Sequence, residues 1–309
     1  MSQTAFSQGN RGSTACGVLE TGAGVSFEYF PAKTEVAVAE LKDTADRLAV
    51  FKPAYQTVTF GAGGTGLSPA HATAQIIESL STLGVDTASH LAFAGQSLAD
   101  IHAFTDALAW NGCKHLIALR GDTPEAHGID PAYNSVATMI ADLKARNGFR
   151  VGVACYPEVH PKAGSLLADL DVLKAKEDAG ADYAITQFFF DNDDFYDFVE
   201  AARKAGVTIP LIPGIMPINN FSSLNRFAER CGATVPSHIG DAFENSNWQS
   251  PHDIAAGLLR DQISDLVSNG VENVHIYTLN KYDLSAIACE AFYEAYAKHN
   301  DGKANSRVA

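Results

Sequence analysis

The chain has 309 residues, 46% of them hydrophobic and 19% charged, a globular composition that excludes a disordered, collagen-like or fibrous protein. Twenty-two Lys and Arg against 36 Asp and Glu leave a formal charge of −14, so no basic surface exists for a polyanion and general nucleic-acid binding is excluded. Length alone allows two average domains or one α/β barrel of about 250 residues, and pattern has to decide.

The first segment, Met1–Gly24, is rich in Ser, Gly, Thr and Gln and lacks the charged start and apolar stretch of a signal peptide. It is expected to be a flexible N-terminal arm (1–24) of a cytoplasmic protein. From Val25 onward, short β-branched apolar runs alternate with longer segments of helical period. Eight strands are expected: Val25–Phe30, Tyr55–Phe60, Thr87–Phe93, Lys114–Leu119, Arg150–Cys155, Asp182–Gln187, Pro210–Pro213 and Asn273–Thr278. A helical segment follows each. In the first, Glu35–Phe51, residues Val38, Leu41, Ala45, Leu48 and Ala49 form one apolar stripe. The others start near Pro69, Ser97, Pro131, Ala163, Asp193, Phe221 and Asp283, with an extra helical stretch around His252–Val267. The polar tail, 299–309, is expected to fray.

Strands that each need a crossover helix must be parallel, and eight such units close most economically into a (β/α)₈ TIM barrel. An open doubly wound sheet is the alternative. No Ser/Gly/Pro-rich linker interrupts Val25–Lys298, so one catalytic barrel domain, 25–298, is expected. No apolar run approaches the roughly 20 residues of a membrane helix. The five cysteines are scattered, odd in number and free of C-x-x-C pairs, which suits reduced buried thiols and neither a disulfide framework nor a zinc site.

Chemistry in such a barrel sits at the C-terminal ends of the strands. Alternation along the first strand turns Phe27 and Tyr29 toward the helices and Glu28 into the barrel, where a carboxylate is costly unless used or paired. Glu28 is therefore expected to be a general acid rather than half of a structural ion pair. Gly61-x-Gly63-x-x-Gly66 matches a dinucleotide fingerprint, but Asp86 precedes the third strand instead of ending the second, so a cofactor-covering loop or a plain flexible turn fits better. His90 is either a hydrogen-bonded core histidine or a contact to a bound ring or phosphate. His90, His115 and His160 show no metal-ligand spacing, so no metal is expected. Arg120-Gly121-Asp122 offers a cation, a close-approach glycine and a carboxylate, or merely a tight turn closed by an ion pair. Phe188, Phe189 and Phe190 are mostly core. Composition by itself would leave the Tyr133 loop and the Lys174/Lys176 helix face as solvated surface.

Seven stretches, in order and at fitting spacing, give these residues a common setting: Val-Ser-Phe-Glu-Tyr-Phe-Pro, Val-Thr-Phe-Gly-Ala, Ala-Leu-Arg-Gly-Asp, Tyr-Pro-Glu-Val-His-Pro, Ala-Ile-Thr-Gln-Phe-Phe-Phe-Asp, Pro-Gly-Ile-Met-Pro and Tyr-Thr-Leu-Asn. Together, from about Val25 to Ala288, they resemble the bacterial, flavin-dependent methylenetetrahydrofolate reductase family. The resemblance implies a barrel holding FAD non-covalently at its C-terminal face. Hydride would pass from NADH or NADPH to FAD and then to methylenetetrahydrofolate, the two substrates using one place in turn. It also implies a homo-oligomer and small-molecule partners only.

By the same resemblance, Glu28 protonates the folate so that its five-membered ring opens, and Asp122 binds folate and tunes the flavin. Gln187 contacts folate and nicotinamide, Phe221 stacks on either substrate, and Lys281 binds folate. The FAD positions are Thr59, Phe60, Ala62, His90, Arg120, Gly121, Asp122, Tyr133, Ala154, Tyr156, His160, Asp169 and Lys176, with Thr59 also a nicotinamide contact. Three departures stand out. Val172 and Ala175 replace the family's usual Asn and Arg near the adenosine, Lys281 replaces a common Arg, and Phe60 a common Tyr. Lysine keeps the charge but loses the planar two-pronged donor. The other readings are a flavin- or folate-dependent barrel oxidoreductase with an altered substrate and a non-catalytic folate- or flavin-binding barrel; an inward Glu28 with Asp122 argues against the second, since a binder needs no proton donor.

Overall fold

Strand and helix alternate as far as β7 in the computed structural model, which describes residues 23–32, 34–60, 69–121, 132–245 and 249–306. The order is β1 (Gly24–Tyr29), α1 (Glu35–Ala49), β2 (Tyr55–Val58), α2 (Pro69–Ser81), β3 (Thr87–Ala92), α3 (Leu98–Trp110), β4 (His115–Leu119), α4 (Val136–Asn147), β5 (Arg150–Cys155) and α5 (Leu166–Asp178). It continues with β6 (Tyr183–Thr186), α6 (Asn192–Lys204), β7 (Leu211–Ile212), β8 (Gly214–Ile215), α7 (Phe221–Cys231), α8 (Ser237–Glu244), α9 (Pro251–Ser268), β9 (Asn273–Tyr277) and α10 (Asp283–Ser306).

All strand pairs are parallel, in the order β7-β6-β5-β4-β3-β2-β1-β9-β8. The two ends of that list are consecutive in the chain, β7 on β6 and β8 on β9, flanking Pro213. The nine parallel strands thus form a nearly closed (β/α)₈ barrel, and the expected seventh strand is split into two short pieces. Proline has no N–H to give a ladder, but its carbonyl still accepts from the His275 amide at 2.9 Å.

Alternation sorts the side chains into two layers. Val25, Phe27, Tyr29, Leu91, Leu116, Val151, Val153, Val274 and Ile276 point outward into the main core beneath the helices. A second cluster, Tyr55, Ile117, Tyr183, Ile185 and Ile212, fills the barrel interior. There the Tyr55 ring lies 5.9 Å from Tyr183 and stacks on His275 at 6.0 Å. This plug supports the polar groups nearer the strands' C-terminal ends.

Serine caps set several helix starts. Ser135 closes a capping box at α4 and Ser165 caps α5, so these helices begin a few residues after the Pro131 and Ala163 starts read from sequence. Helix α8 was not expected, and α10 runs to Ser306, through much of the tail expected to fray. No helix among the described residues is long and apolar enough to cross a membrane.

Candidate active site

Glu28 sits on the inner face of β1 with its side chain 21% exposed, as alternation predicts. Two imidazoles converge on one of its oxygens. His90 Nε2 on β3 is 3.4 Å from Oε2, and His275 Nε2 on β9 is 3.7 Å from the same atom. Thr57 on β2 contacts His90 Nε2 at 3.2 Å, and Ser26 Oγ lies 2.8 Å from His275 Nδ1. Burial pushes the His90 pKa below the ordinary histidine value, more than the adjacent Glu28 raises it. His90 therefore brings no formal positive charge to the carboxylate at neutral pH. The backbone of Glu28 is fixed as well, its carbonyl accepting from Thr278 Oγ1 at 2.6 Å.

A cationic flank lies at the ends of β4 and β5. Arg120 follows β4, and the adjacent Gly121 has φ +81° with Ala92 Cβ 2.8 Å from where its own Cβ would stand, so only glycine fits that close approach. Lys176 Nζ, on α5, donates to the Ala154 carbonyl at 2.8 Å, and burial lowers its pKa. The His160 amide donates to Asp169 at 2.9 Å, and His160 Nδ1 accepts from the Lys162 amide at 2.9 Å. Its ring meets Tyr156 edge-on at 4.5 Å. Burial lowers the His160 pKa, with Lys176, Lys162 and Arg120 adding to the effect and Asp169 opposing it. Between Tyr156 and His160, Val159 has φ +69°, a conformation that costs a β-branched residue on the order of 1–3 kcal/mol and marks a loop held by its surroundings.

After β6, the Gln187 side-chain Oε1 accepts from the Phe188 amide at 3.0 Å, which leaves the side-chain NH₂ as donor. The Phe221 ring, at the start of α7, stacks on Phe243 of α8 at 4.3 Å, so one of its faces is already covered. Lys281 is exposed, after a turn in which Leu279 and Asn280 have φ +50° and +55°. Thr59 continues the inward parity of β2. Phe60 turns outward and packs edge-on against Phe104 at 5.7 Å, leaving only its backbone for a ligand. Tyr133 is mostly buried, its hydroxyl hydrogen-bonded to Asp142, which also binds His102 at 2.7 Å. Asp122, Ala62 and the Gly61–Gly66 loop lie outside the described residues.

The sequence reading missed Ser26, Thr57 and the approach of His275 to Glu28. Parity would have found the first two, since Ser26 and Thr57 share faces with Glu28 and Thr59. Asn280 holds the β1 end by accepting from the Phe30 amide at 3.1 Å and donating to its carbonyl at 2.9 Å.

Residues 18–292 match the family model described as "Methylenetetrahydrofolate reductase". The 5,10-methylenetetrahydrofolate reductase of Salmonella typhimurium is 35% identical over 267 residues, covering 86% of this chain and 89% of that one. Methylenetetrahydrofolate reductase (NADH) 1 of Zea mays is 35% identical over 280 residues, covering 85% of this chain and 46% of the longer plant protein. Among solved structures, a Clostridium thermocellum protein that binds two copies of 5-methyl-5,6,7,8-tetrahydrofolic acid superposes with a TM-score of 0.58 at 13% identity, over 89% of this chain and 95% of that one. At that identity the likeness is one of fold.

Proposed function

The chain belongs to the methylenetetrahydrofolate reductase family, and from that premise we propose that it converts 5,10-methylenetetrahydrofolate to 5-methyltetrahydrofolate with NADH or NADPH as reductant, FAD as non-covalent carrier, and the two substrates taking one site in turn. Bound FAD would supply the two-electron carrier between nicotinamide and folate. The donor set suits such a group: Arg120, Lys176 and the amides near Gly121 gather positive charge for a diphosphate within a chain of net charge −14. Tyr156, His160 and Asp169 shape the same flank, and Tyr133, Ala154, Thr59, Phe60, Ala62 and His90 complete the proposed cofactor wall. The name of the maize relative favours NADH as the first reductant to try.

The observation that carries the reading is the inward carboxylate of Glu28, set between two imidazoles at the mouth of a barrel. Glu28 acts as general acid on the folate, a role worth about 10²- to 10⁴-fold in rate. Gln187 donates its amide NH₂ to the ring system of either substrate. Phe221 offers them the face that Phe243 leaves open, and Lys281 meets a folate carboxylate. By the family resemblance, Asp122 would bind the folate and tune the flavin.

Anaerobic half-reactions test this. The purified protein takes up FAD and turns yellow, NADH or NADPH bleaches it, and methylenetetrahydrofolate restores the colour. A protein unable to retain FAD, or a reduced flavin indifferent to that folate, overturns the reading.

A further inference from the structure

His275 is 0% exposed and held on every side. Its ring stacks on Tyr55 at 6.0 Å and meets Tyr277 edge-on at 5.4 Å. Its Nδ1 is engaged by Ser26, its direct partner in the β1–β9 register. Its Nε2 has no hydrogen-bond partner and points to Glu28 Oε2, 3.7 Å away. An orphaned ring nitrogen inside a core is unfavourable, and an apolar residue would fill the space without it. Active-site hydrogen bonds are often long without substrate and tighten in the complex, so a shift of less than 1 Å would close this one.

We infer that His275 is a positioning residue for the acid: Ser26 fixes its tautomer, and its Nε2 lone pair accepts from the protonated carboxyl of Glu28. The Ser26 oxygen accepts from Nδ1–H while its hydroxyl donates to the Val274 carbonyl, 3.4 Å away. That arrangement leaves Nε2 unprotonated, an acceptor facing an acid that must hold its proton until the folate takes it. The opposite tautomer would present Nε2–H and favour the carboxylate, the wrong state before transfer. His90 approaches the same oxygen from β3, and Tyr277 is the other ionisable group near Glu28 on β9. Ser26 and Thr57 are the neutral partners of the two imidazoles.

The inference rests on Glu28 being the acid, and the experiment separates the two. In FAD-loaded His275→Asn, which keeps a polar atom near Ser26 and loses Nε2, flavin reoxidation by methylenetetrahydrofolate slows roughly tenfold at neutral pH. Its pH midpoint moves down by about one unit, because the protonated acid has lost an acceptor. Flavin content and bleaching by NADH report the integrity of the fold. Ser26→Ala shifts the midpoint in the same direction by less, and carries the measurement if His275→Asn does not fold. An unmoved midpoint in both variants, or an upward shift, overturns the positioning role. Glu28→Gln is the control: reoxidation at the unaltered rate in that variant overturns the acid reading itself, whereas a slow Glu28→Gln with an unmoved His275→Asn midpoint overturns only the role of His275.

Discussion

The Tyr277 hydroxyl donates a 2.6 Å hydrogen bond to the Thr186 carbonyl, joining β9 to β6 across the break at Pro213. Thr186 in turn accepts the Gly214 amide on its side-chain oxygen at 2.8 Å. A side chain at Gly214 would strike the Thr186 carbonyl oxygen and come within 2.5 Å of the Tyr277 ring. Gly214→Ala is therefore expected to destabilise the protein by about 1–3 kcal/mol, the usual penalty of overpacking. Denaturant titration measures it, and a variant as stable as the parent would mean that this closure yields easily.

Lys176 is expected to matter more for cofactor than for stability. It is a half-buried lysine whose described hydrogen bond goes to the Ala154 carbonyl, with Asp169 as a nearby carboxylate, and a bound diphosphate would add a second counter-charge. Lys176→Met should weaken FAD binding about 10- to 100-fold, the worth of a charge-assisted hydrogen bond. Fluorescence titration of the apoprotein with FAD measures this, and an unchanged affinity removes Lys176 from the cofactor wall.

Acid sensitivity follows from the histidines. Burial, first among the causes, lowers the pKa of His90, His115 and His160 in the folded chain. Above the ordinary value of about 6.5 both folded and unfolded forms are neutral and the contribution to stability is complete. Below it the unfolded chain binds protons that the folded chain refuses, so stability falls as pH drops toward the depressed values. Denaturation midpoints at pH 7.5 and 5.5 should show this loss, and His115→Gln should make it smaller. An equal loss in that variant would place the sensitivity elsewhere.

Lys281 provides a test of substrate recognition. It is exposed and held by a backbone bond from its amide to the Thr278 carbonyl at 2.8 Å. Lys281→Met should raise KM for methylenetetrahydrofolate roughly two- to fivefold, as expected for a solvent-exposed ion pair, with kcat little altered. A fall in kcat without a change in KM would assign it to the chemical step instead.

Most of the barrel was legible because parallel strands have an unmistakable alternation with amphipathic helices, and the inward turn of Glu28 followed from parity alone. The seventh strand, Pro210–Pro213, holds β7 but stops short of β8, because pairing resumes past Pro213 at Gly214 and Ile215 with a different strand partner. Helix α8 escaped notice because it is one short stretch with Gly240 inside it and only Ile239 buried. The Ser26–His275 contact escaped for another reason. Its members are 249 positions apart, and no local pattern reports which polar residues of the first and last strands will face each other.

That separation has a consequence for the life of the chain. Thr278 and Asn280, each 250 positions from its partner, Glu28 in β1 and Phe30 just after it, together with His275, give the carboxylate its setting. Closing so long a loop is entropically slow to be repaid, so these contacts belong to the late stages of assembly. A chain clipped before β9 would lack every one of these contacts to the β1 end. The setting of the Glu28 carboxylate is therefore completed only when the last strand joins the first.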